Sequence, residues 1–232
     1  MKQMKARRYR HEYKYRIDER QKVLLRFKAE SLLMPDPHVN SDGFYTIRSA
    51  YFDDDKDSCL LENQNGTDPR SKFRLRYYNK DTSRITLEKK SKVKGMCLKE
   101  AGQVSYEECE LLLSGAYPEI TDRMDPLKQK LFSELVKRNL HPRVIVSYDR
   151  IPFIYPAGNV RITFDQNISS SSELSSFLSG SYHERPILPL GESILEVKWD
   201  ELLPRHIKEM MKLDSLTWQA FSKYYMCRLY HL

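Results

Sequence analysis

The chain has 232 residues, 40% of them hydrophobic and 31% charged, which provides for a core and excludes a disordered chain. Its net charge of +7 points to an anionic partner: nucleic acid, a membrane surface or a polyphosphate-like ligand. Four scattered cysteines form no C-x-x-C pair and have no histidine at zinc spacing, so reduced thiols in a cytoplasmic protein are expected, not a zinc site or a disulfide framework. The opening "MKQMKARRYRHEYKYR" has no apolar core and is not expected to act as a signal peptide. No apolar run approaches the ~20 residues of a membrane span, so any membrane association is expected to come from a partner.

Arg8 to Ile17 alternates basic or acidic residues with tyrosines, the period of a strand. Asp18 caps a helix over Glu19 to about Leu33, ended by "MPDP". Phe44–Phe52 reads as a strand, followed by an acidic, turn-rich stretch through "NQNG" to a strand in "KFRLRYYN" (Lys72–Asn79). Ser83–Lys92 is the next strand. Ser105 and Glu108 form a capping box for a helix closed by Gly115. Asp125 and Pro126 begin another, with Leu127, Leu131, Phe132 and Leu135 on one face. The paired strands "PRVIVSYDRIPFIY" and "NVRITFDQNI" are joined by "PAGN". The serine-rich stretch from about Ser169 to Ser181 is expected to be a mobile loop. Ser193–Asp200 is a further strand, and the chain from Pro204 onward is expected to be helical. Met210, Met211, Trp218 and Phe221 are spaced as its packing face. No repeat or linker divides the chain, so one α+β domain over residues 1–232 is expected.

Six of these strands carry a charged face. Lys72, Arg74 and Arg76 oppose Phe73, Leu75 and Tyr77, and Thr86, Glu88 and Lys90 oppose Ile85 and Leu87. Tyr148 pairs with Arg150, Arg161 with Thr163 and Asp165, and Glu196 with Lys198. A sheet with one solvated face accounts for the pattern. So does an antiparallel barrel with helices outside, whose charged faces turn inward onto a ligand. A metal-bound triphosphate suits such a lining, since arginine forks grip phosphate, lysines add point charge and carboxylates hold the ion. Periodicity alone does not choose between the two.

The segments "YRHEYKYRI", "KFRLRYY", "LEKKSKVKG", "VSYDRIPF" with "VRITFDQNI", "ILEVKWDELLP" and "FSKYYM" resemble, in order, the VTC domain. This is the polyphosphate polymerase branch of the triphosphate tunnel metalloenzyme superfamily. The resemblance implies a closed antiparallel β-barrel, a tunnel with helices packed on its outside. It implies that Lys14, Arg74, Arg76, Lys90, Arg150 and Arg161 bind phosphates and that Tyr148 places the nucleotide end. Ser222 and Lys223 match C-terminal phosphate contacts, and Lys94 and Lys198 are further candidates. Glu196 would hold Mn²⁺ or Mg²⁺, with Glu12 and Glu88 orienting basic neighbours or holding the ion through water. The implied reaction is transfer of the γ-phosphate of ATP onto inorganic polyphosphate.

Tunnel triphosphatases and related cyclases usually begin E-x-E-x-K. Here the window is Arg10-His11-Glu12-Tyr13-Lys14, which removes one candidate metal ligand and favours the polymerase branch. The alternatives are a triphosphatase acting on NTP or inorganic triphosphate, or a polyanion-binding module without chemistry. A nucleic-acid platform is not expected, because most tyrosines lie opposite the basic residues on their strands. Arg16, Arg48 and Lys72 read as solvated strand or rim charges. The family's large eukaryotic members carry a phosphate-sensing domain and membrane spans. Neither is visible here, so a free-standing catalytic domain is expected, with a membrane-protein partner in trans left open.

Overall fold

The computed structural model describes residues 9–210 and 216–231; Arg8 and Met211 lie outside them. Asp18 caps α1 (Glu19–Leu32), which follows β1 (His11–Ile17) and leads through β2 (Met34–Pro35) to β3 (Tyr45–Asp53). Next come α2 (Ser58–Gln64), β4 (Arg70–Tyr78), β5 (Asp81–Val93) and β6 (Met96–Val104). The Ser105–Glu108 capping box opens α3 (Tyr106–Leu113), and Asp125 caps α4 (Pro126–Lys137). The chain closes with β7 (His141–Tyr155), β8 (Val160–Ser171), β9 (Arg185–Pro186), β10 (Ser193–Trp199), α5 (Arg205–Met210) and α6 (Lys223–Leu229).

One antiparallel sheet runs β1-β10-β8-β7-β3-β4-β5-β6, with β2 and β9 added beside β7 and β8. It is curled but open, which corrects the expectation of a closed barrel. The edge strands meet at one bridge, Arg10 to Cys97, with N–H···O distances of 3.1 and 3.3 Å. An antiparallel continuation from that bridge would set Glu12 against Gly95, where the β5–β6 hairpin turns back. The partner strand therefore runs out. The free edge of β1 instead takes the C-terminal stretch: Tyr15 bridges Trp218, and the Gln219 N–H donates to the Lys14 carbonyl at 3.1 Å.

The apolar strand faces pack outward against helices in two clusters. Leu25 and Ala29 of α1 and Ile207 of α5 cover Ile162, Phe164, Leu195 and Val197. Leu112 of α3, Leu131 and Leu135 of α4 and Tyr224 of α6 cover β3, β4, β5 and β7. Burying apolar surface at roughly 25 cal/mol per Å² fixes which face turns out, so the charged faces must turn in.

Three further expectations are corrected. Ser169, Ser170 and Ser171 are buried within β8, and Phe177 is buried beyond them, its carbonyl accepting from the Tyr77 hydroxyl at 2.6 Å. Among the described residues, the C-terminal part holds two short helices, and residues 216–222 ahead of the second are not helical, because Trp218 and Gln219 pair with β1. β6 and α2 also form where the sequence pattern showed no element. Among the described residues no helix is long and apolar enough to cross a membrane.

Candidate active site

The inward faces enclose a cavity of about 480 Å³. The segment from Trp218 to Met226 forms part of its wall, tied down by Lys14, whose ammonium donates to the Phe221 carbonyl at 2.9 Å. Ten lysines and arginines line the cavity against two glutamates, Glu12 and Glu196. Like charges at this density are tolerated only when neighbours offset them.

Four carboxylates supply most of that offset. Asp165, fully buried, accepts from Arg150 at 2.6 and 2.7 Å and also pairs with Lys223. It sits directly opposite Arg150 in the β7–β8 register. Glu88 holds Arg74 at 2.6 Å and Arg76 at 3.7 Å, with Lys99 on its other oxygen. Glu196 meets Lys198 at 2.6 Å, Arg150 at 3.2 Å and Lys14 at 3.4 Å. Glu12 reaches Lys14 and Lys90, both at 2.7 Å. Burial and Glu196 push the Glu12 carboxyl up, but Lys14, Lys90 and Lys198 outweigh them and hold it down to about 2. Burial pushes Lys198 down to about 8 despite Glu196 and Glu12. Burial would likewise lower Lys14, but Glu12 and Glu196 raise it above the ordinary lysine range.

Aromatic rings set the remaining geometry. Tyr51 accepts from Arg74 at 2.6 Å, and Tyr148 accepts from Arg76 at 3.2 Å. The Tyr148 ring lies 5.3 Å from the Arg150 guanidinium and 4.8 Å from the Lys223 ammonium, within cation–π range. Ser222 caps α6 by accepting from the Tyr225 N–H at 3.2 Å and takes the Lys72 ammonium at 2.8 Å.

Eleven of the fourteen candidate residues line the cavity: Glu12, Lys14, Arg74, Arg76, Lys90, Tyr148, Arg150, Glu196, Lys198, Ser222 and Lys223. Three do not. Glu88 lies behind its arginines, and Lys94 is exposed in the β5–β6 turn. Arg161 is drawn away by Asp36 and the Tyr45 hydroxyl, both at 2.6 Å. Sequence reasoning passed over Tyr51 and Lys72 as lining residues and Asp165 as a counter-charge. Lys72 is not a rim charge, since its amine meets Asn63, Ser222 and the Tyr224 ring inside the cavity. The signal was present, because Lys72 continues the alternation of Arg74 and Arg76. Arg48 is also buried, on the opposite face of β3, donating to the Gly180 carbonyl at 3.2 Å. Arg16 stays half-exposed with Glu192.

Among the described residues no group of three or more His, Cys, Asp or Glu side chains is placed to hold a metal ion. Glu12 and Glu196, both close to Lys14, supply two carboxylates. That set fits an ion whose other ligands are substrate phosphates and water, as is usual for Mg²⁺, and does not fit an all-protein cage.

Among solved structures, the chain resembles a candidate adenylate cyclase from Bacillus halodurans, at 18% identity and a TM-score of 0.51. That match covers 92% of this chain and 95% of the other. It also resembles a candidate adenylyl cyclase from Hippeastrum with a dominant triphosphatase activity, at 13% identity and a TM-score of 0.53, covering 95% of each chain. At such identities the likeness is one of fold. None of the curated proteins matches the chain. The model of the VTC domain family matches residues 9–231, every strand of the curled sheet and every residue of the cavity wall included, and the chain belongs to that family.

Proposed function

We propose that this chain is a polyphosphate polymerase, transferring the γ-phosphoryl group of ATP onto the end of a growing inorganic polyphosphate chain. The observation that carries this reading is the cavity's charge balance, ten cations to two carboxylates, within a chain of the VTC domain family. The nucleophile is a terminal phosphate oxygen of the acceptor, largely deprotonated at neutral pH, so no general base is required. It bonds to the γ-phosphorus as the bond to the β–γ bridging oxygen breaks. ADP leaves with that oxygen, and the acceptor is one phosphate longer.

Catalysis is then positioning and charge neutralisation. Glu88 and Asp165 hold Arg74 and Arg150 by hydrogen bonds, so their remaining N–H donors meet phosphate oxygens with little reorganisation. Lys14, Lys90, Lys198 and Lys223 add point charge, and Tyr148 shapes the nucleotide end. Glu196, with Glu12, would hold a Mn²⁺ or Mg²⁺ ion that arrives with the triphosphate. When bound, such an ion offsets charge on the transferring phosphoryl group. The triphosphatase named for the Hippeastrum protein keeps hydrolysis as the second reading, with water in place of the acceptor.

The test is incubation of purified protein with ATP and Mn²⁺, with and without a short polyphosphate primer, on a gel stained for polyphosphate. A ladder is expected that vanishes in Arg74→Ala and Glu196→Ala. Release of free phosphate without polymer would replace the polymerase with the triphosphatase, and absence of both products would sink the catalytic claim.

A further inference from the structure

The positive charge of the cavity is balanced unevenly. Seven of its ten cations pair with Glu12, Glu88, Asp165 or Glu196, whereas Arg70, Lys72 and Lys92 pair with no carboxylate among the described residues. The three share one end of the β4–β5 ladder, with Arg70 opposite Lys92 and Lys72 opposite Lys90. Like charges directly opposite one another destabilise a strand pair. The nearby carboxylate of Asp68 accepts from the backbone N–H groups of Gly95 and Lys94, both at 2.9 Å; these bonds, with the charges of Lys92 and Arg70, hold it below the ordinary aspartate range, but it makes no direct ion pair with either cation. Lys72 is held only by neutral groups: the Asn63 amide oxygen, the Ser222 hydroxyl at 2.8 Å and the Tyr224 ring at 5.1 Å. Burial, then Lys14, Lys90 and Arg70, push its amine well below the ordinary lysine range, a state that an arriving anion would relieve.

Spacing says what kind of anion fits. The rungs Arg70–Lys92 and Lys72–Lys90 are two residues apart, roughly 7 Å along the strands. One orthophosphate cannot span them, but a linear chain of phosphates can. No carboxylate lines the cavity at this end, since Asp68 is turned to the backbone of the β5–β6 turn, so the ligand there meets cations and neutral donors.

We infer that Arg70, Lys72 and Lys92 form a second anion subsite, beside Asn63 at the end of α2, which binds the acceptor polyphosphate. The ion-paired remainder of the cavity takes the triphosphate of the nucleotide. The word acceptor rests on the polymerase reading; the binding of linear polyphosphate at this end does not.

The test compares Lys72→Met and the double variant Arg70→Ala/Lys92→Ala with Arg150→Ala, all in the full chain. The first measurement is anisotropy of a fluorescently labelled linear polyphosphate without ATP; the second is KM for ATP and for a polyphosphate primer. Both subsite variants are expected to weaken polyphosphate binding about tenfold and to raise the primer KM to match, with the ATP KM moving less than about threefold. Arg150→Ala is expected to raise the ATP KM more than the primer KM. Arg70 and Lys92 are partly exposed, so the double variant decides the matter if Lys72→Met fails to fold. Unchanged polyphosphate binding in the subsite variants overturns the inference, as does orthophosphate competing as well as the polymer. If no polymer forms with any variant, the polymerase reading fails and the binding measurement still decides whether the subsite exists.

Discussion

Asp165 has no solvent exposure and holds two cations, Arg150 and Lys223, that sequence reasoning assigned to phosphate. Replacing it with asparagine keeps the shape, takes the paired carboxylate from Lys223 and leaves Arg150 with Glu196 alone. Breaking a buried pair typically costs about 3–5 kcal/mol, so Asp165→Asn is expected to lose that much in urea unfolding. Added inorganic triphosphate should recover more stability in the variant than in the parent, because it supplies the missing negative charge; equal recovery would show that Asp165 does not serve as a stand-in for phosphate. Glu12 makes the same case through pH. Its carboxyl is held at about 2 against an ordinary 4.5, so the folded state releases the proton more readily than the unfolded chain. The contribution, about 3 kcal/mol at most, is complete above pH 4.5 and is lost as pH falls toward 2. Glu12→Gln should therefore be less stable than the parent at pH 7, with the gap narrowing by pH 3 in thermal melts. A gap that stays constant across that range would contradict the assigned ion pairs.

Elements whose two faces differ in chemistry were legible in the sequence, and those held by tertiary contacts were not. The alternation of Lys72, Arg74 and Arg76 against Phe73, Leu75 and Tyr77 defined β4, and the cap residues Asp18, Ser105 and Asp125 placed three helix starts. Which way the charged faces point was not in the period, since a solvated sheet and a cavity share it. The single bridge between β1 and β6, and the non-helical stretch before α6, follow from where the β5–β6 hairpin turns, a register no local pattern records. α2 was missed because Asp53, at the end of β3, starts it from a distance. The buried Asp53 carboxylate accepts from the N–H groups of Cys59 at 2.8 Å and Leu60 at 3.0 Å, and also from the Tyr224 hydroxyl of α6. Asp53 thus joins β3, α2 and α6, and through α6 it positions Ser222 and Lys223. Tyr224→Phe is expected to cost about 1.5–3 kcal/mol, the range for a hydrogen bond to a charged group. It should also raise the KM for polyanionic substrate while kcat changes little, because it loosens a wall and leaves the arginines in place. A loss of stability with no change in KM would mean that α6 holds its pose without this bond.

The molecule as a whole is a curled sheet whose helices take the apolar faces and leave an excess of positive charge inside. Glu88 and Asp165, behind the lining, do not make up the difference between ten cations and two glutamates. Self-repulsion of that kind lowers the stability of the unliganded fold, and an anion that binds only the folded state recovers it. Inorganic triphosphate at about a hundred times its Kd is expected to add about 2.7 kcal/mol. The same gain should appear without nucleotide or metal, because the cations are in place before either arrives. Salt separates this account from ordinary surface binding. Charges exposed on a surface are screened over about 10 Å at moderate ionic strength, whereas buried ones are screened much less. The melting-temperature shift given by triphosphate should therefore survive added salt in the parent protein. It should shrink at every salt concentration in Arg74→Ala and in Arg150→Ala, which remove lining charge. If salt alone abolished the shift, or if the two variants kept it, the anion would be sitting on the outer surface and the inward charge would need another explanation.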